Sequence, residues 1–150
     1  MDMAKKLMVL QNVYAAAIAE AVNTYARLGQ LGTIVAAKET RQAQTAPLMV
    51  QQLGITSCEE VFTGLSSIFG CANWTVESTG TDLIATATSC KLCALCKRMG
   101  GASPCKGWCI DPMTAMIRHI AGTQQHTVDI CLESTLMEES QCKLKVTIGS

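Results

Sequence analysis

Cys90-Lys91-Leu92-Cys93-Ala94-Leu95-Cys96 places three thiols at two-residue gaps, and Cys105 and Cys109 follow, so that five of the nine cysteines fall in one short segment. A C-x-x-C loop lets two sulfurs converge on one metal while backbone amides stay free to donate to them. A C-x-x-C-x-x-C run extends that geometry to three corners of a cubane. Cys105 or Cys109 would close the fourth position after Gly100-Gly101, and Lys91, Lys97, Arg98 and Lys106 would offset the negative charge of the thiolates. The spacing predicts a metal site drawn from Cys90, Cys93, Cys96, Cys105 and Cys109, with an iron–sulfur cluster (4Fe–4S favoured) as cofactor and zinc as the alternative. Zinc fits because Cys93-x-x-Cys96 with Cys105-x-x-x-Cys109 also makes a tetrahedral four-thiolate set. Disulfides, redox thiols or buried structural cysteines are the third reading.

The remaining candidates carry less chemistry. Cys58 and Cys71 read as small buried hydrophobes in or just beyond a helix. Cys131 and Cys142 lie on or beside the last strand pair, from which they could approach the cysteine segment. His119 and His126 read as solvated polar residues. Met99, Met113 and Met116 could line a soft pocket or simply fill core gaps. Glu77, Asp82 and Asp129 form no acid–base pair by spacing.

Several elements must position these groups. From Met3 to Leu28 the residues Leu7, Leu10, Tyr14, Ala17, Ala21, Tyr25 and Leu28 recur at steps of three and four, which predicts an amphipathic helix. Its stripe could seat on the chain's own core or on a partner's identical helix. A second helix is predicted from Thr33 to about Ala46, with Pro47 ending or kinking it. Ser57-Cys58-Glu59-Glu60 is a capping box that opens a third helix, closed by Gly70. Alternation then predicts a β-hairpin over 73–89, turning at Gly80-Thr81. Asp111-Pro112 starts a further helix with Met113, Met116, Ile117 and Ile120 inward. Thr127 to Met137 and Lys143 to Ile148 form a second strand pair. The expected fold is α+β, one domain over 1–150, with N-terminal helices packed on a four-stranded antiparallel sheet and the cysteine segment as a loop.

Composition narrows function. Lys plus Arg equal Asp plus Glu at 12 each, so no basic footprint for nucleic acid is present. Glu20, Asn23 and Arg27 interrupt the N-terminal apolar run, which argues against a signal peptide or a membrane span and for a cytoplasmic setting.

The run Pro112 to Ile120, followed by Val128 to Val146 with Cys142 opening a Cys-x-φ-x-φ strand, resembles the close of a 4-vinyl reductase domain. It is also similar to aminothiazoline-carboxylate hydrolase-like proteins. The match lies in the order of helix, strand, polar turn and strand; Ser134 stands where that family has an earlier cysteine. The resemblance implies an α+β domain, a homodimer, and a pocket for a small hydrophobic or aromatic ligand. Together with the cysteine run it leads to the expectation of a cytoplasmic small-molecule or redox sensing or accessory domain carrying a cysteine-ligated metal. An enzyme with an open metal position or a reactive thiolate, and a zinc-stabilised ligand-binding module, are the alternatives.

Overall fold

The computed structural model describes residues 1–149. Helix α1 (Met3–Arg27) begins where the Asp2 carboxylate accepts the Lys5 amide at 2.8 Å. Helix α2 (Leu31–Leu53) continues past Pro47, where the sequence predicted an end or a kink near Ala46. It packs against a later helix. Helix α3 (Cys58–Phe69) has the expected cap: Ser57 Oγ accepts the Glu60 amide at 3.3 Å, and the Glu60 carboxylate reaches back to the Thr56 amide at 3.2 Å.

Strands β1 (Thr75–Thr79) and β2 (Asp82–Ala87) form the expected hairpin, with Gly80 at φ 63°. The largest departure follows. The cysteine segment is helical, with α4 over Lys91–Arg98 and a π-helical turn over Lys106–Ile110. The turn runs directly into α5 (Asp111–Thr123). Strands β3 (Thr127–Ser134) and β4 (Cys142–Gly149) complete an antiparallel sheet in the order β1-β2-β4-β3. The chain is therefore α+β, with five α-helices and a four-stranded antiparallel sheet.

The core follows from the alternation of the two central strands. Leu83, Ala85 and Ala87 of β2 and Leu144 and Val146 of β4 turn to one face, where Val61 and Phe62 of α3 and Met113, Ile117 and Ile120 of α5 cover them. Phe62 meets Trp74 edge-on at 5.3 Å between ring centroids. A second, smaller cluster joins Ile18, Ala19 and Val22 of α1 to Leu92 and Cys96 of α4. Helix α1 thus reaches the core through Ala15, Ile18, Ala19 and Val22. The stripe singled out in the sequence is a different face, and Leu7, Leu10, Tyr14 and Leu28 on it are exposed. No helix among the described residues is long and apolar enough to cross a membrane.

Phe62 is fully buried at the junction of α3 with the hairpin. Phe62→Ala should lower unfolding stability by about 3–5 kcal/mol in urea titrations, the range for emptying an aromatic core site. A loss below about 1 kcal/mol would show that the helix–sheet packing is not as described.

Candidate functional site: a thiol-walled apolar cavity

Helices α2, α3, α4 and α5, the π-helical turn and the middle of α1 do not close on one another completely. They enclose a cavity of about 270 Å³. Its walls are Leu65 and Phe69 of α3, Met49 of α2, Met113 and Met116 of α5, and Trp74, Ile110 and Trp108, with Tyr14 and Ile18 of α1 at one side. Tyr14 stacks on Phe69 at 5.0 Å and Tyr25 on Trp108 at 6.4 Å, while the Lys38 ammonium sits 4.8 Å over the Trp108 ring. Gln42 fixes the π-helical turn by donating from Nε2 to the Gly107 carbonyl at 2.8 Å. At Gly107 itself a Cβ would lie 3.0 Å from Val35 Cγ2, so any side chain there would require Val35 to shift by a few tenths of an ångström.

Six of the cavity-lining residues are cysteines: Cys71, Cys90, Cys93, Cys105, Cys109 and Cys142. Cys90 is the N-cap of α4, and its Sγ accepts the Cys93 amide at 3.4 Å. Cys93, one turn on, brings its thiol to 3.6 Å from that of Cys105. The Cys105 amide in turn donates to Ser103 Oγ at 3.2 Å. Either thiol of the Cys93–Cys105 pair can donate to the other. Contact with Cys93 holds Cys90 and Cys105 below the ordinary thiol range and pushes Cys93 itself far above it. Burial pushes Cys71 up to about 11 and Cys142 up to about 12, and it raises Cys109 well above the ordinary value. The partial exposure of Cys109 therefore faces the cavity and not bulk solvent. Cys90 has a second aspect. With Cys71, Cys93 and Leu136 it also borders a shallow outer groove whose rim carries Lys91 and Lys97. The Lys91 ammonium is held by Asn12 Oδ1 and that of Lys97 by the Leu136 carbonyl. Cys71, Cys90 and Cys93 thus border both the cavity and the groove, and of the three only Cys90 is held below the ordinary thiol range.

The metal-site expectation is corrected by this geometry. Among the described residues no three His, Cys, Asp or Glu side chains are arranged to hold a metal ion. The steps of three that suggested a cubane are the steps of a helix face. Cys90 is occupied in capping α4, Cys93 turns into the main core, and Cys96 turns into the separate cluster under α1. Cys109 lines the cavity from the π-helical turn. A cytoplasmic sensing domain built on an iron–sulfur or zinc centre is therefore not supported by the structure.

Of the secondary candidates, Cys142 does join the cysteine segment, while Cys131 is exposed on β3. Cys58 is buried and points its thiol at the Ile117 carbonyl, 3.8 Å away, consistent with a small core residue. Cys71, read the same way, instead lines the cavity. Met113 and Met116 also line it, and Met99 is exposed. Asp82 pairs with Lys145 at 3.6 Å on the sheet, and His126 meets the Gly149 carbonyl at 3.1 Å through Nδ1.

No family model matches the sequence, and no curated protein does. Among solved structures, the chain is similar to a trafficking protein particle complex subunit 3 from Naegleria fowleri, covalently bound to palmitic acid. The likeness covers 95% of this chain and 97% of that one, at 12% identity and a TM-score of 0.57. It establishes a shared fold. It also overturns the resemblance to 4-vinyl reductase and aminothiazoline-carboxylate hydrolase-like domains, which covered only the last third. A helix followed by a strand pair recurs in many α+β chains, whereas the likeness to the trafficking subunit spans nearly the whole length.

The thiol row generates a prediction. Because Cys90 is held down to about 6 from 9.0, chiefly by the Cys93 side chain, its reactive thiolate should persist well below the pH at which an ordinary thiol protonates. In a Cys131→Ser background, iodoacetamide modification of Cys90 followed by peptide mass spectrometry should hold its rate from pH 9 down to about pH 6 and fall below that. A rate that drops tenfold per pH unit from pH 9 downwards would show that the Cys93 thiol does not donate to Cys90.

Proposed function

We propose that this chain binds a medium-length acyl chain, or an apolar molecule of that size, in the cavity, and that Cys90 holds the acyl group as a thioester at the mouth. The observation that carries this reading is a partly open apolar cavity with a half-buried thiol, held below the ordinary range, at its border with an outer groove. The cavity's lining is what a hydrocarbon requires: aromatic, thioether and aliphatic walls with few polar groups. The chain's fold supports the reading, since the similar trafficking subunit is covalently bound to palmitic acid. On this reading an activated acyl thioester is the donor. The Cys90 sulfur bonds to the acyl carbon, the donor's carbon–sulfur bond breaks, and the departing thiolate takes up a proton.

Volume sets the chain length. At roughly 30 Å³ for a water-sized group, the cavity takes about nine such groups, which corresponds to an acyl chain of about ten carbons. Each methylene buried contributes about 0.8 kcal/mol, or about fourfold in affinity. Binding of saturated fatty acids to the reduced protein should therefore tighten about fourfold per methylene up to about ten carbons and then level off. Incubation with decanoyl thioester should add one hydroxylamine-labile acyl group by intact mass, and Cys90→Ser should abolish it. Leu65→Trp, which fills the cavity from α3, should abolish binding while leaving the melting temperature within a few degrees. Absence of binding at every chain length would end the reading; a thioester formed on another cysteine would retain the cavity and reassign the nucleophile.

A second observation favours assembly as part of the same function. The first half of α1 carries Met3, Leu7, Leu10 and Val13 on the exposed surface, and Leu10 is 65% exposed. The heptad-like spacing Met3, Leu7, Leu10, Tyr14, Ala17, Ala21 is that of a helix that pairs with its like. We propose a homodimer through this face. Light scattering should give about twice 16.0 kDa, and Leu10→Asp should release a folded monomer because the carboxylate would be desolvated in the seam. A wild-type mass of one chain at high concentration would exclude the dimer.

A further inference from the structure

Two of the cavity's thiols are close enough for a different reaction. Cys93 and Cys105 lie on separate elements, α4 and the start of the π-helical turn, with Gly100 and Gly101 in the connection between them. Their sulfurs are in van der Waals contact at 3.6 Å, and each residue is buried. A disulfide needs the sulfurs to close to about 2.05 Å. The two glycines, at φ 140° and 86°, give the connection freedom to supply that movement. This thiol–thiol contact joins two separate elements, whereas Cys90 sits one helical turn from Cys93 and accepts its amide at 3.4 Å. Both sulfurs face the cavity, so a small reagent reaches them by the same path as the proposed ligand.

We propose that Cys93 and Cys105 form a reversible disulfide that staples α4 to the π-helical turn and fixes the cavity wall. The oxidant is a low-molecular-weight disulfide. The Cys105 thiolate attacks one of its sulfurs, the reagent's S–S bond breaks, and the first small thiolate leaves and takes up a proton. The Cys93 sulfur then attacks the Cys105 sulfur of the mixed disulfide as its proton passes to the second small sulfur, which is expelled as a thiol. Two protein thiols are oxidised and one reagent disulfide is reduced to two thiols. The link has a consequence for the wall. Cys93 no longer carries a thiol proton, although its amide still donates to Cys90, and α4 can no longer move independently of Trp108 and Cys109. The effect on ligand exchange rests on the proposed acyl-binding reading; the disulfide itself does not.

The experiment treats the full chain with 2-hydroxyethyl disulfide, blocks the remaining thiols with N-ethylmaleimide, and maps tryptic peptides without reduction. The expected product joins the peptide Leu92–Lys97 to the peptide Met99–Lys106, and dithiothreitol separates them. Because the first peptide also holds Cys96, the mapping is repeated on Cys93→Ser, which should lose the link, and on Cys96→Ser, which should keep it. A second readout follows displacement of bound decanoic acid, which should slow at least severalfold in the linked protein and recover on reduction. A link through Cys90 or Cys71, loss of the link in Cys96→Ser, or thiols that all remain free would overturn the proposal. Correct linkage in a protein that binds no fatty acid when reduced would overturn the acyl reading and leave the disulfide standing.

Discussion

Ile117 of α5 has no solvent exposure, and Met113, Met116 and Ile120 beside it are almost as fully enclosed. This face of α5 lies against the inward residues of β2 and β4 and against α3, while α2 runs along its other side. One helix therefore has to satisfy a sheet and two helices at once, and its position dictates theirs. The π-helical turn Lys106–Ile110 is part of that constraint. A π turn holds an extra residue relative to an α turn, which re-aims the side chains that precede α5, and such turns recur at functional sites. Here it sets Cys109 and Trp108 toward the cavity and lets Lys106 pair with Asp111 at 2.9 Å and Glu39 at 2.7 Å on the outside. The Lys106 side chain is largely exposed, so these pairs contribute to register more than to stability.

A space that α5 cannot fill becomes the cavity, and its chemistry follows from the residues that face it. A thiol is apolar enough to sit in such a wall, yet it can give up a proton when a donor is near. Cys93 lies in contact with a thiol on either side, and its own proton is held chiefly by the contact with Cys105, then by that with Cys90 and by burial. The same arrangement makes Cys90 a nucleophile and brings Cys93 against Cys105. Proton donation and disulfide formation compete for one thiol, so the reactivity of Cys90 and the oxidation state of its neighbours are tied together by geometry.

Much of the fold could be read from local signals. The capping box at Ser57 and the hairpin turn at Gly80 each act within a few residues, and the structure contains both, whereas Asp111-Pro112 continues a helical path begun at Lys106. The cysteine segment misled for a physical reason. A period of three serves both a metal loop and a helix face, and Leu92 with Cys93 and Cys96 satisfies the helical option by burial. The competing signal was available in Leu92 and Leu95, apolar residues that a solvent-facing metal loop has little use for. The cavity could not be read this way. Tyr14, Met49, Leu65, Trp74, Cys90 and Met116 come from six separate parts of the chain and meet only after the helices have packed.

Helix α1 shows how one element can carry two messages. Its buried line, Ala15, Ile18, Ala19 and Val22, uses small and branched residues, which let α4 approach closely. Asn23 secures that approach: its Nδ2 donates to the Ala19 carbonyl at 2.8 Å and its Oδ1 accepts the Ala102 amide at 3.0 Å, holding the loop after α4 in place. The larger apolar residues lie on the other line, starting before the first buried position. Periodicity identifies the line with the bulkier side chains, which is why the sequence pointed to the outward face. A core helix packed against another helix selects for small residues, whereas on the outer line Leu7, Leu10 and Leu28 stay exposed and only the two tyrosines find stacking partners. The size of the side chains, and not their spacing, therefore separates the inward from the outward face of α1. It also places the proposed dimer seam beside Tyr14, at the rim of the cavity, where pairing of two chains would cover the Tyr14–Phe69 stack.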